Sequence, residues 1–238
     1  MKLKLEGCSN PGFTFTEVRK AQIIEFYEWI KAHSEEEEKT YKQIQDEIAS
    51  SSQNLDGSKI RMFVPFLRKV GYINNDGFEK KNAAMELKGF FSQEGKAFIE
   101  YLKLSKQITV LNMDDVNSKM FEIGNLFDII SIINLASNDE SNIYIECIKF
   151  LKRYENMDKN EFYLMTTLRE KYTGEEYIKK LDKAIMKYRK GAFKRIEIIK
   201  HENAFGYIKA FLVETHVVIQ ENSKLKLNAK YSHVFNGI

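Results

Sequence analysis

Asn54, Ser58, Lys59 and Arg61 gather around the start of an apolar-periodic segment, SKIRMFVPFLRKVGYI. Arginine can fork onto guanine and asparagine onto adenine, while lysine and serine more often hold phosphate, so this mixture suits recognition of duplex DNA by a helix end. Ile60, Phe63, Leu67 and Val70 recur at helical spacing, and turning them inward leaves those four residues outward. An ordinary solvated helix face would carry the same residue types.

Cations are denser further along. The stretch Ile178–Lys200 holds nine Lys or Arg against one Asp and one Glu, in a chain whose formal net charge is only +3. Lys187, Arg189, Lys190, Lys194 and Arg195 make it a phosphate footprint, although a face for an acidic partner would look similar. Beyond it, His201, Asn203, Tyr207 and Lys209 are the outward polar residues of a second reading helix. Lys80, Lys81 and Lys88 would lie on one hairpin, with Lys224 and Lys226 on another, as flexible cations for the backbone.

Cleavage chemistry has a weaker basis. Asp76, Glu86 and Lys88 form an acid, acid, lysine string of the kind that holds a divalent metal and activates water. The string falls on the expected hairpin, with no central sheet to hold both carboxylates, so a self-contained magnesium-dependent nuclease is the lesser alternative. GxSxG, HExxH and P-loop patterns are absent, and His33, His201, His216 and His233 are scattered. Cys8 and Cys147 lie far apart, without CxxC spacing. The expectation is therefore no catalytic residue, no metal ligand and no cofactor in this chain, with magnesium needed only by an associated nuclease domain.

The elements that must position these residues are mostly helices. With 238 residues, 43% hydrophobic and 30% charged, but only two prolines and twelve glycines, the chain suits a mainly α protein with small β-hairpins. After a short leader, residues 17–33 place Ile23, Tyr27 and Ile30 on one face. Ser34 and Glu37 stand at capping-box spacing ahead of Tyr41, Ile44 and Ile48, which predicts a second helix from Ser34. The third helix follows a polar turn, with Pro65 expected to bend or shorten it and Gly71 to end it. Strand, loop, strand and then another helix come next, with turn chemistry at Asp76-Gly77.

Three helices and then a hairpin is the order of a winged helix, whose third helix enters the major groove. Residues 118–136 read as a buried connecting helix. From 142 the plan repeats: helices over 142–154, 159–168 and 174–190, another with Phe205, Ile208, Phe211 and Leu212 inward, and a hairpin with Leu225 and Leu227 alternating. Two tandem winged-helix (helix-turn-helix) domains are predicted, at 1–110 and 141–238, joined by 111–140. The N-terminus has no apolar run of signal-peptide length, and the most apolar stretch, NLFDIISIINLAS, carries Asp128 and is too short to span a bilayer. A cytoplasmic location without membrane contact is expected.

The second half resembles the recognition region of AlwI-type restriction endonucleases and related nicking enzymes, similar in plan to FokI. The likeness runs through IECIKFLKRYENMDKNEFYLMTTLREKYTGEEYIKKLDKAIMKYRKG and AFGYIKAFLVETHVVIQENSKLKLNAKY. In the first half, FVPFLRKVGYINNDGF and FSQEGKAFIEYLKL resemble the other winged helix of that region. At YIKAFLVETHVV the chain departs from the family pattern, lacking its glycine and arginine. The resemblance implies a two-part module for a short, asymmetric duplex sequence, with cleavage supplied by a separate nuclease domain or subunit. A plasmid or phage replication initiator, or a transcriptional regulator with two winged helices, is the alternative.

Overall fold

Apolar residues at three- and four-residue spacing set eight helices among the described residues, and the protein is mainly helical. The computed structural model describes residues 2–9, 13–14, 16–74, 83–111, 124, 143–193, 195–214 and 217–230. The chain divides into a contiguous unit, Phe13–Glu140, and a split unit made of Met1–Gly12 and Ser141–Ile238. Among the described residues no helix is long and apolar enough to cross a membrane. The predicted 111–140 connector lies outside the described residues, apart from Leu111 and Gly124.

In the contiguous unit, helix α1 (Glu17–Ala32) starts at Thr16, whose side chain accepts from the Arg19 N–H, and buries Ile23, Phe26, Tyr27 and Ile30. The second helix does not begin at Ser34. Residues Lys39–Thr40 form strand β2, and α2 (Tyr41–Ser51) is capped by Thr40 and Gln43 in a reciprocal capping box. Pairing of β2 with β3 (Ala84–Met85), antiparallel with Thr40 opposite Ala84, holds the chain extended up to Thr40 and so fixes the helix start. A turn through Ser52–Asp56 leads to α3 (Gly57–Lys69), which buries Ile60, Phe63, Val64, Phe66 and Leu67 and carries Pro65 on its exposed side.

Gly71 closes α3 at φ 79°, letting the Tyr72 N–H return to the Leu67 carbonyl at 2.8 Å. Ile73 then bridges Phe91, and Asn74 donates to the Phe90 carbonyl at 3.0 Å, so the arms of the expected hairpin meet. Its predicted turn at Asp76-Gly77 lies outside the described residues. Helix α4 (Gln93–Leu111) follows, and a side chain at Gly95 would strike the Tyr72 carbonyl. The core is aromatic: Phe13 meets Phe63 and Phe66 edge-on, and Phe26 meets Phe90 and Phe91.

The split unit begins with a strand where a leader was expected. Strand β1 (Lys2–Glu6) pairs in parallel with β4 (Arg195–Lys200), Leu3 opposite Ile196 and Leu5 opposite Ile198. Between them lie α5 (Ile143–Tyr154), α6 (Lys159–Arg169) and α7 (Gly174–Arg189). Two threonines of α6 hold β1: Thr166 and Thr167 donate to the Glu6 carbonyl, and the Glu6 N–H donates to Thr167 at 2.8 Å. After β4 come α8 (Ala204–Glu214) and the hairpin of β5 (Val218–Glu221) and β6 (Lys224–Leu227). Asn222 and Ser223 supply the two left-handed turn residues that a tight hairpin needs.

Candidate nucleic-acid interface

In the contiguous unit, the four residues of the first expected reading head, Asn54, Ser58, Lys59 and Arg61, lie around the start of α3. Asp56 is the cap: its carboxylate accepts from the Ser58 and Lys59 N–H groups, each at 2.9 Å, and from the Lys59 ammonium at 2.6 Å. These bonds, the Lys59 side chain first, hold the Asp56 carboxyl below the usual carboxylate range. Ser58 also donates its hydroxyl to Asp56. Lys59 and Ser58 are thus tied into the cap, with the Lys59 side chain 28% exposed.

Asn54 sits in the preceding turn, where its amide donates to Glu25 at 3.3 Å and its carbonyl accepts from Gln22 at 2.8 Å. Arg61 is exposed one turn into the helix, and its Nη1 donates to Gln45 Oε1 at 2.9 Å. Gln45, buried on α2, was not anticipated. Its signal is faint in the sequence: a glutamine next to the inward residue Ile44.

Lys88 lies in the turn just past β3, exposed, 3.4 Å from Glu35. Lys80, Lys81 and Asp76 lie outside the described residues. Glu86 is exposed, and with Lys88 and Glu38 it lines a depression of about 400 Å³. Among the described residues no group of three His, Cys, Asp or Glu side chains gathers as a metal would need.

In the split unit the structure separates the basic run into two populations. Arg189, expected to face phosphate, is bound within the unit: its Nε donates to Glu161 Oε1 at 2.6 Å, and its Nη atoms donate to the Tyr154 and Asn156 carbonyls. Glu161 is 1% exposed, so this guanidinium neutralises a buried carboxylate. By contrast, Lys183, Lys187 and Lys190 stand at helical spacing along α7 and its end, exposed, and their side chains make no hydrogen bond or ion pair to a described residue. Met186, 52% exposed, sits among them. Lys183 and Met186 were not among the expected site residues. Their four-residue spacing, Lys183 from Lys187 and Met186 from Lys190, was the available signal.

Arg195 is exposed at the start of β4, and Lys194 beside it lies outside the described residues. His201, Asn203 and Tyr207 come together at the start of α8, lining with Cys8 and Ser9 an open pocket of about 370 Å³. Gly7 permits the close approach beneath it, since a side chain there would meet the His201 carbonyl at 2.5 Å and the Tyr163 ring at 2.9 Å. Lys209 is half-buried on the flank of α8. On the hairpin, Lys224 is exposed, and Lys226 pairs with Glu221 at 2.6 Å.

The two units share a feature that positions their candidate heads. In the contiguous unit the residues just ahead of the capped helix α2 pair with the strand β3. In the split unit Met157, just ahead of α6 with its Asp158–Glu161 capping box, bridges Leu225 on β6. Both arrangements fasten a hairpin segment to the N-terminus of the unit's second helix. Compared with known proteins, the chain matches no family model, no curated protein and no solved structure.

Proposed function

We propose that the chain binds double-stranded DNA sequence-specifically through two winged helices. It would serve as the recognition module of a type II restriction endonuclease whose cleavage comes from a separate nuclease domain or subunit. The observation that carries this reading is that in each unit the residues just ahead of a capped helix pair with a later extended segment. Helix, short strand, capped helix, helix and the strand β3, which pairs back onto β2, follow one another in the contiguous unit, an order that a winged helix also has. In the split unit α7 and β4 intervene before α8 and its hairpin, but the Met157–Leu225 bridge joins the same two places.

On this reading α3 and α8 are the reading helices, Arg61 and Asn203 meet base edges, and the exposed lysines of α7 and Lys224 hold phosphate and fix register. Selection of bound sequences from a randomised duplex pool, followed by footprinting, tests it. One short asymmetric site is expected. A palindromic or repeated site would favour a replication initiator or transcriptional regulator, and recovery of no sequence would contradict the proposal.

A further inference from the structure

We infer that Arg61 reads a guanine and that Gln45 and Gly57 hold it in the reading position, an inference that rests on the DNA-binding reading above. The polar groups around the start of α3 are not equivalent. Ser58 and Lys59 are bound to Asp56, which cancels the Lys59 charge at 2.6 Å, and Asn54 donates to Glu25. Arg61 has no carboxylate partner among the described residues. Its one side-chain hydrogen bond there goes to a neutral amide oxygen, Gln45 Oε1, at 2.9 Å.

Gln45 is 5% exposed, so its amide is fixed by the packing of α2, and the exposed guanidinium is anchored to a buried point. Gly57 completes the seat. A Cβ there would lie 3.2 Å from Arg61 Nη1 and 3.6 Å from Gln45 Oε1, so the glycine leaves the space in which the guanidinium lies against the first turn of α3. An arginine ordered before binding loses less rotamer freedom when it binds.

A guanidinium carries five N–H donors, and Gln45 takes one. The remaining donors match the paired O6 and N7 acceptors that guanine shows in the major groove, whereas adenine places a donor at N6 and rejects the fork. Met62 and Pro65, its neighbours on the accessible side of the helix, have no side-chain donor, and the half-exposed Arg68 and Lys69 stand at the other end of α3, in its last turn. Specificity for a G·C pair at this helix end therefore comes from Arg61, with Gln45 as a positioning residue.

The test is selection from a randomised duplex pool with the full chain and with R61A, Q45L and Q45E. The wild type should recover a site with one invariant G·C column. Arg61→Ala should lower the preference at that column about 10–100-fold, the scale of one bidentate contact, and leave the other columns intact. Gln45→Leu should blur the same column, while Gln45→Glu, which keeps the acceptor, should restore it; a purely structural Gln45 would not act on one column. If Q45L fails to fold, Gly57→Ala, which presses on the same guanidinium, takes its place. A site recovered unchanged by R61A overturns the inference and leaves DNA binding standing. A wild-type chain that binds no duplex overturns both.

Discussion

Met157 and Leu225 exchange a reciprocal pair of backbone hydrogen bonds, Met157 N–H to the Leu225 carbonyl at 3.0 Å and Leu225 N–H to the Met157 carbonyl at 2.8 Å. Met157 is fully buried and Leu225 is 1% exposed. The capped start of α6 and the hairpin are therefore one mechanical piece, held by apolar burial around a two-bond bridge.

Leu225→Ala should cost about 2–4 kcal/mol, the usual range for deleting a buried leucine side chain. The loss should loosen both partners of the bridge. Hydrogen exchange at the Met157 and Leu225 amides is expected to accelerate together; faster exchange in the hairpin with Met157 unaffected would contradict the coupling.

Arg189→Ala strands the buried Glu161 carboxylate and should destabilise the protein by about 3 kcal/mol. The same change should leave the salt dependence of duplex binding unaltered, because Arg189 is committed to Glu161 and to two carbonyls. Urea unfolding and a salt titration on one preparation distinguish this from a phosphate contact, which would lower the salt slope by about one.

Asp56 gives a pH dependence with a definite sign. Lys59 and Ser58 hold its folded carboxyl below the ordinary value, so its contribution to the α3 start is complete above about pH 4 and declines as pH falls further. Thermal midpoints of the wild type should drop more between pH 6 and pH 3 than those of Asp56→Asn, which keeps an N-cap acceptor but does not titrate. Equal drops would remove Asp56 from the acid response.

Thr40→Ala removes the capping-box acceptor of α2 and should cost about 1 kcal/mol, whereas Ser34→Ala should be neutral. Denaturant unfolding of the two variants checks which residue starts the helix.

That pair also marks where the sequence was legible. Helical periodicity located α1, α3, α5, α6, α7 and α8, because each buries a continuous apolar stripe. It placed the cap of α2 at Ser34–Glu37, whereas the cap is Thr40–Gln43, a pair with the same spacing. Pairing of Lys39–Thr40 with Ala84–Met85 decides it, and that contact is distant in sequence.

The same limit hid β1 and β4. KLKLE and RIEIIK each alternate for only a few residues, and neither reads as a strand until it is set beside the other. Within the candidate site, residue type marked Arg61 and the α7 lysines alike. Type alone could not separate Arg189 from Lys187, because the distinction is made by Glu161, buried on a neighbouring helix.

The central claim is that exposed cations of this chain displace counterions from duplex DNA. The most direct measurement is anisotropy of a labelled duplex pool titrated with the purified chain and with a Lys183→Ala, Lys187→Ala, Lys190→Ala triple variant across a salt series. Log affinity should fall linearly with log salt, and the triple variant should lose about 0.9 of slope for each lysine that meets a phosphate. Absence of binding at low salt, or identical slopes for the two proteins, would contradict the account.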